Sequence, residues 1–293
     1  MSSPEEPSAR SATDVFSLLG DETRLSVLRV LADDLRENGD EAGLSFARLR
    51  KRVGVEDAGK FNYHLGELRG QFVEKDEGQY ELRRAGALIV AAILAGTYTE
   101  RGRTLSAEVD STCPMCDDSL TASFEDAQVR LVCGNHGLVF QVPLPPGAAT
   151  DRGTAELLAL AHRRTQWNIE QATAGVCPFC WGEIEVTVPA SGSTDDEQLL
   201  VTYGCERCWF TSEVPVGACV VRHPAVVSLY HDYGIDIREC SYTDLDFLGG
   251  SSSTLLSEDP ARVAVTVELD DDALRLTLDE SLTVVGVERT GDA

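Results

Sequence analysis

Seven of the nine cysteines fall in short pairs that can grip a soft metal ion. Cys113-Pro-Met-Cys116 is followed, after 16 residues, by Cys133-Gly-Asn-His136. Cys177-Pro-Phe-Cys180 is followed, after 24 residues, by Cys205-Glu-Arg-Cys208. Two ligands on each of two turns present four donors tetrahedrally, which is how Zn²⁺ takes thiolate and imidazole. No basic segment followed by an apolar run marks an export signal, so the pairs predict metal over disulfides. Both ligand sets are full and leave no position for a reactive water, so two structural Zn²⁺ ions are expected. Cys219 and Cys240, with His223 and His231 between them, are spaced irregularly, and a free cysteine is most often simply buried.

The two clusters read as copies of one unit. His136 and Cys208 are each followed six residues on by Val-Pro, at Val142-Pro143 and Val214-Pro215, and then by Gly-Ala, at Gly147-Ala148 and Gly217-Ala218. A helix candidate follows in each. The longer spacing in the second unit matches the polar insert 191–198 in length. Alternating segments such as 120–124 and 128–132 supply the strands that a zinc ribbon needs between its two turns.

The elements ahead of the cysteines are mostly helical. Asp14 can cap a short helix over 15–19, and a second helix starts near Asp21 and carries Leu25, Leu28 and Leu31. The acidic stretch 33–43 predicts a helix end and a loop. Ser45 caps 46–53, which Gly54 ends, and Asp57 or Ala58 opens a helix to Arg69. Phe61, Leu65 and Leu68 make one stripe of that helix. Segments 72–75 and 79–83 are strand candidates around the turn Asp76-Glu77-Gly78. An apolar helix over 88–98 closes the region. Later elements are a long amphipathic helix over 153–173, a helix from Pro224 to about Tyr233, and a Gly/Ser linker at 249–254. Strand candidates at 263–269, 274–278 and 283–287 form a small β-meander.

Helix, tight turn, helix and hairpin, in that order, predict a winged helix-turn-helix, whose second helix enters the major groove of double-stranded DNA. Off the apolar stripe lie Lys60, Asn62 and Tyr63, with His64 at the edge. Arg50, Lys51, Arg69 and Lys75 are the further expected contacts. Asn pairs bidentately with adenine, and Lys reads guanine or phosphate. The net charge is −24, which opposes nucleic acid at ordinary salt. Residues 41–86 nevertheless hold nine Lys/Arg against eight Asp/Glu, a neutral island where phosphate would approach. Acidity of this degree suits a cytoplasm at molar salt, where the Debye length is about 3 Å. The most apolar run, 85–96, is too short to span a bilayer, so a cytoplasmic protein without membrane contact is expected.

Gly20-Asp21-Glu22-Thr23-Arg24-Leu25, with Gly59-Lys60-Phe61-Asn62-Tyr63-His64-Leu65 and Leu68, resembles the arsenic-repressor (ArsR) family of transcription regulators. That family's recognition helix typically reads Val-Ser-x-His-Leu-x-x-Leu. The Phe-Asn-Tyr-His-Leu form resembles the branch found in halophilic archaea. The resemblance covers about residues 12–100 and implies a homodimer paired through its first and last helices, here 15–19 and 88–98. It does not extend to metal sensing before the recognition helix, because Arg48-Leu49-Arg50-Lys51 stands where sensing members carry cysteines.

The expected fold is α+β: a winged helix-turn-helix with a dimerisation helix, two zinc-ribbon-like β units and a C-terminal β-meander. The expected segments are a disordered tail (1–11), the DNA-binding and dimerisation domain (12–105), a first ribbon (106–150), a connecting helix (151–176), a second ribbon with its following helix (177–248), and the linker with meander (249–293). No phosphate loop, nucleophile elbow or His-Glu-x-x-His helix occurs, and no catalytic residue is assigned. The expected function is a sequence-specific regulator, not an enzyme, with a protein partner for the ribbons. The alternatives are a basal factor similar to archaeal transcription factor E, which joins a winged helix to a zinc ribbon and binds RNA polymerase, and a zinc/thiol redox-responsive regulator.

Overall fold

Ser11, Asp21, Ser45 and Asp57 each turn a side-chain oxygen onto a backbone N–H, and these four caps set where the N-terminal helices begin. A computed structural model describes residues 11–98, 102–188, 198–249 and 252–290. It is a mixed α+β protein with N-terminal helices and four antiparallel sheets among the described residues, divided into two units at residues 100/101. Residues 1–10 of the expected tail lie outside the described residues. No helix among the described residues is long and apolar enough to cross a membrane.

In the first unit, α1 (Ala12–Leu18) and α2 (Glu22–Asn38) precede a short strand β1 (Leu44–Ser45). Next come α3 (Phe46–Val53), α4 (Ala58–Leu68), the hairpin β2 (Val73–Asp76) and β3 (Gln79–Leu82), and α5 (Arg84–Leu94). Gly54 is left-handed (φ 82°) and ends α3. Glu77 (φ 45°) and Gly78 (φ 87°) are both left-handed, the backbone that a two-residue hairpin turn needs. The sheet order is β1-β3-β2. Phe61, Leu65 and Leu68 of α4 are buried with Leu28 and Leu31 of α2 and Leu49 of α3.

Three expectations in this unit are corrected. The cap of α1 is Ser11, not Asp14, and the helix starts three residues earlier than expected. The loop expected from residue 33 is helix to Asn38, because Asp34 is only 2% exposed and is satisfied there. Its carboxylate accepts from Arg52 at 2.9 Å, the Gly43 N–H at 2.9 Å and Asn38 at 3.1 Å. The last helix begins at Arg84 and ends at Leu94, ahead of the expected 88–98. Gly86 in its first turn allows the close approach: a Cβ there would meet the Phe72 carbonyl oxygen at 2.7 Å.

The second unit opens with a four-stranded meander of β4 (Leu105–Thr112), β5 (Ser119–Glu125), β6 (Gln128–Cys133) and β7 (Gly137–Pro143). A 3-10 turn (Pro146–Ala149) leads into α6 (Thr154–Thr173). A second antiparallel sheet, of β8 (Ile184–Thr187), β9 (Leu200–Cys205) and β10 (Thr211–Pro215), is followed by another 3-10 turn (Val216–Cys219) and α7 (Pro224–Asp232). In each cysteine-bearing half, a sheet, a 3-10 turn and a helix thus follow one another in the same order. The last sheet is β11 (Ser253–Glu258), β12 (Ala261–Leu269), β13 (Asp272–Leu278) and β14 (Val284–Thr290).

The expected boundary at 105/106 falls at the start of β4, where Leu105 pairs with Phe124, so Leu105 belongs to the second unit. The end of the expected linker 249–254 is already strand, with Ser253 and Thr254 paired to Val265 and Ala264. Residues 250 and 251 of that linker, and 191–197 of the polar insert, lie outside the described residues. The C-terminal meander is not a separate domain: Val263, Val265 and Leu276 share one core with Val201, Tyr203 and Leu229. α6 serves two cores. Leu157, Leu158 and Ala161 pack under the first sheet, and Ile169 and Ala172 belong to the core of the second.

Candidate metal centres and nucleic-acid interface

Each Cys-x-x-Cys pair sits on a tight turn whose backbone points N–H groups at sulfur. In the first cluster, the Cys113 N–H donates to the Asp118 carbonyl at 2.8 Å, and Asp117 is left-handed (φ 59°). In the second, the Cys177 N–H donates to the Gly182 carbonyl at 2.8 Å, and Trp181 is left-handed (φ 60°). The Asn135 N–H lies 3.4 Å from the Cys133 sulfur, and the N–H groups of Phe179 and Arg207 lie 3.5 and 3.4 Å from Cys177 and Cys205. Such donors stabilise thiolate and fix its direction.

All four expected ligand atoms converge in each set. The sulfurs of Cys113, Cys116 and Cys133 and a ring nitrogen of His136 lie within 4.8 Å of one another, as do the sulfurs of Cys177, Cys180, Cys205 and Cys208. Cys116–Cys133 and Cys177–Cys208 are 3.7 Å apart, and Cys180–Cys205 is 3.5 Å. His136 Nδ1 is 3.5 Å from Cys113 and 3.7 Å from Cys133. A tetrahedral zinc ion with Zn–S of about 2.3 Å separates its sulfurs by about 3.8 Å, so both donor sets fit Zn²⁺. The N–H groups of His136 and Asn135 hold Cys133 below the ordinary thiol range. Burial opposes ionisation of Cys205, but the N–H groups of Arg207 and Cys208 outweigh it and lower that thiol too. Both clusters can hold a metal ion, and they fit zinc-ribbon-like units. Cys219, His223, His231 and Cys240 form no such group among the described residues.

The second cluster carries an aromatic rim that the first lacks. Trp181 (74% exposed) and Trp209 (71%) flank it, and the rings of Phe179 and Trp209 are 4.8 Å apart. Arg164 of α6 lies over Phe179 at 5.6 Å, and Trp167, one turn further along α6, is also exposed.

In the first unit, Asp57 accepts from the N–H groups of Gly59 and Lys60 at 2.7 and 2.9 Å and so aims the start of α4. Burial of Phe61, Leu65 and Leu68 leaves Lys60, Asn62 and Tyr63 exposed. Lys51, Arg69 and Lys75 are exposed as well, Lys75 lying 5.3 Å over the Tyr80 ring. Two expected contacts are withdrawn from that surface. His64 is buried (7% exposed), its Nδ1 3.3 Å from the Asp21 carboxylate, because α4 turns it toward the start of α2. Arg50 folds its guanidinium onto the carbonyls of Val55 (3.3 Å) and Glu56, bracing the turn between α3 and α4.

Residues 110–284 match the family described as a domain of unknown function, DUF7351, and residues 12–93 match a second domain of unknown function, DUF7347. No curated protein and no solved structure matches.

Proposed function

The chain belongs to the DUF7351 family, and on that premise we propose that it is a sequence-specific, double-stranded-DNA-binding transcription regulator with two structural zinc ions. The observation that carries this reading is α4. It follows α3 through a braced turn, precedes a hairpin, buries one apolar stripe, and offers Lys60, Asn62 and Tyr63 outward. A winged helix-turn-helix of the ArsR-like kind uses its second helix in this way. The neutral balance of residues 41–86 in a chain of net charge −24 supports the same face.

A homodimer is supported by apolar side chains left exposed on the first and last helices of this unit: Phe16 (66%), Leu88 (59%) and Leu94 (71%). Zinc at each cluster would have a full set of protein ligands, which supports a role in holding the fold rather than in catalysis. The rings around the second cluster support a protein partner there, since exposed Trp and Arg carry much of the binding energy at protein interfaces.

The test is recovery of DNA from sheared source genome by the zinc-loaded protein in molar KCl, alongside a Lys60→Ala/Asn62→Ala variant. A palindromic motif that the variant loses is the expected result. No enrichment by either protein would overturn the regulator and favour the basal-factor reading, in which the first unit docks on polymerase.

A further inference from the structure

All three tryptophans of the chain, Trp167, Trp181 and Trp209, are exposed in the second unit, near the second metal centre. Arg164 joins two of them: it lies over Phe179, whose ring is 4.8 Å from Trp209, and Trp167 follows it by one turn of α6. At about 150–250 Å² for a whole aromatic side chain, the exposed parts leave on the order of 400 Å² of ring surface in water, a size at which a patch marks an interface. Trp181 is the hardest to explain as packing. Its backbone is left-handed (φ 60°), a conformation that suits Gly, Asn or Asp, and the first metal centre has Asp117 (φ 59°) at the equivalent position. An indole held there in water gains little burial to offset the strain.

Charge defines the partner. Residues 101–293 carry 31 Asp/Glu against 12 Arg, yet 157–182, which include Trp167, Phe179 and Trp181, carry one acid, Glu170, and Arg222 lies 2.6 Å from it. Arg207 lies against Gly182, and its charge is offset by Glu206 and Glu183, next along the chain from each. The negative charge that four thiolates leave on zinc is met by the N–H groups of Phe179, Arg207 and Phe210. Arg163 and Arg164 remain as free cations: among the described residues neither guanidinium has a hydrogen-bonded or ion-paired acceptor. They precede Trp167 by four and three residues, so both are its neighbours on the helix surface. A nucleic-acid strand fits less well. It needs a longer run of cations and an open ring face for each base, and Phe179 has Arg164 over it and Trp209 beside it.

We propose that this surface docks a segment of a partner protein in which carboxylates flank an aromatic or aliphatic side chain. The apolar side chain packs among the indoles, and the carboxylates meet Arg163 and Arg164. The inference rests on the reading that these rings meet a protein, and adds the chemistry of that protein.

The test titrates the full zinc-loaded chain in about 1 M KCl, where a Debye length of about 3 Å leaves only charges in contact to attract. The probes are a blocked peptide Glu-Asp-Phe-Glu-Asp-Leu-Glu-Asp, the same peptide with Lys at every acidic position, and oligothymidylate. Tryptophan emission reads the surface directly, because every tryptophan lies on it. The acidic peptide is expected to bind at least about threefold more tightly than the Lys peptide, a modest ratio because exposed ion pairs are weak. Trp209→Ala should weaken it about tenfold. Arg163→Glu with Arg164→Glu should reverse the order of the two peptides. Trp181→Gly should weaken binding without lowering the melting temperature, which loss of a merely structural tryptophan would lower. All variants should keep the wild-type zinc content and circular dichroism. Equal or tighter binding of the Lys peptide overturns the acidic partner and leaves the protein-partner reading, as does an order that the double reversal does not change. Oligothymidylate binding more tightly than either peptide, no binding by any probe, or peptide binding that neither tryptophan variant weakens overturns both.

Discussion

Replacing His162 with phenylalanine should remove a specific component of the pH dependence of stability. Burial between Phe140, 4.7 Å away, and Tyr242 lowers the imidazole from 6.5 to about 4. In the unfolded chain the ring titrates at its ordinary value, so below about pH 7 the unfolded state binds more protons and stability falls with pH. From about pH 7.5 to 5.5 the two values give a loss of about 1.4 kcal/mol, reaching about 3 kcal/mol by pH 4. Phenylalanine keeps the ring and has no proton to take up. The assay is urea unfolding of both proteins followed by tryptophan emission, because Trp167, Trp181 and Trp209 all lie in the second unit. Subtracting one pH profile from the other cancels the carboxylates and cysteines common to both. The stability of the variant relative to wild type should rise by about 1.4 kcal/mol over that window. A difference that stays flat to within about 0.3 kcal/mol, the ordinary scatter for independent sites, would refute the reasoning.

The zinc-loaded protein should contain two ions per chain by elemental analysis. Cys133→Ser and Cys180→Ser should each leave one, and retention of two by both variants would rule out these ligand sets. Leu94→Asp should convert a dimer to a monomer in sedimentation velocity, since a charge on an apolar contact face is left buried and unpaired. An unchanged sedimentation coefficient would place the dimer contact elsewhere, or show that none exists.

Local chemistry made the metal centres and much of the first unit legible in sequence. Cysteine spacing anticipated both ligand sets because four donors on two turns leave few alternatives. Ser45, Gly54 and Asp57 marked helix ends through groups that act within three residues. The errors came where tertiary contacts outweighed local character. Asp34 looked like loop because it lies in an acidic run, yet Arg52, eighteen residues on, makes it a buried helical residue. His64 was placed at the contact edge by helical period, but Asp21 draws it inward. β11 begins in a Gly/Ser-rich stretch whose composition gives no strand signal; its pairing with β12 supplies the order.

The division of α6 between two cores has a thermodynamic consequence. Its first half supports the sheet beneath one metal centre and its second half the sheet beneath the other, on twenty residues of continuous helix. Fraying either half exposes leucine or isoleucine and strips a neighbouring sheet of its cover, so neither sheet has an independent melting equilibrium. The two cysteine-bearing halves are thereby made into one cooperative block. Calorimetry of the zinc-loaded protein should show a single transition for the second unit, and two separable ones would mean that the helix breaks in the middle at little cost.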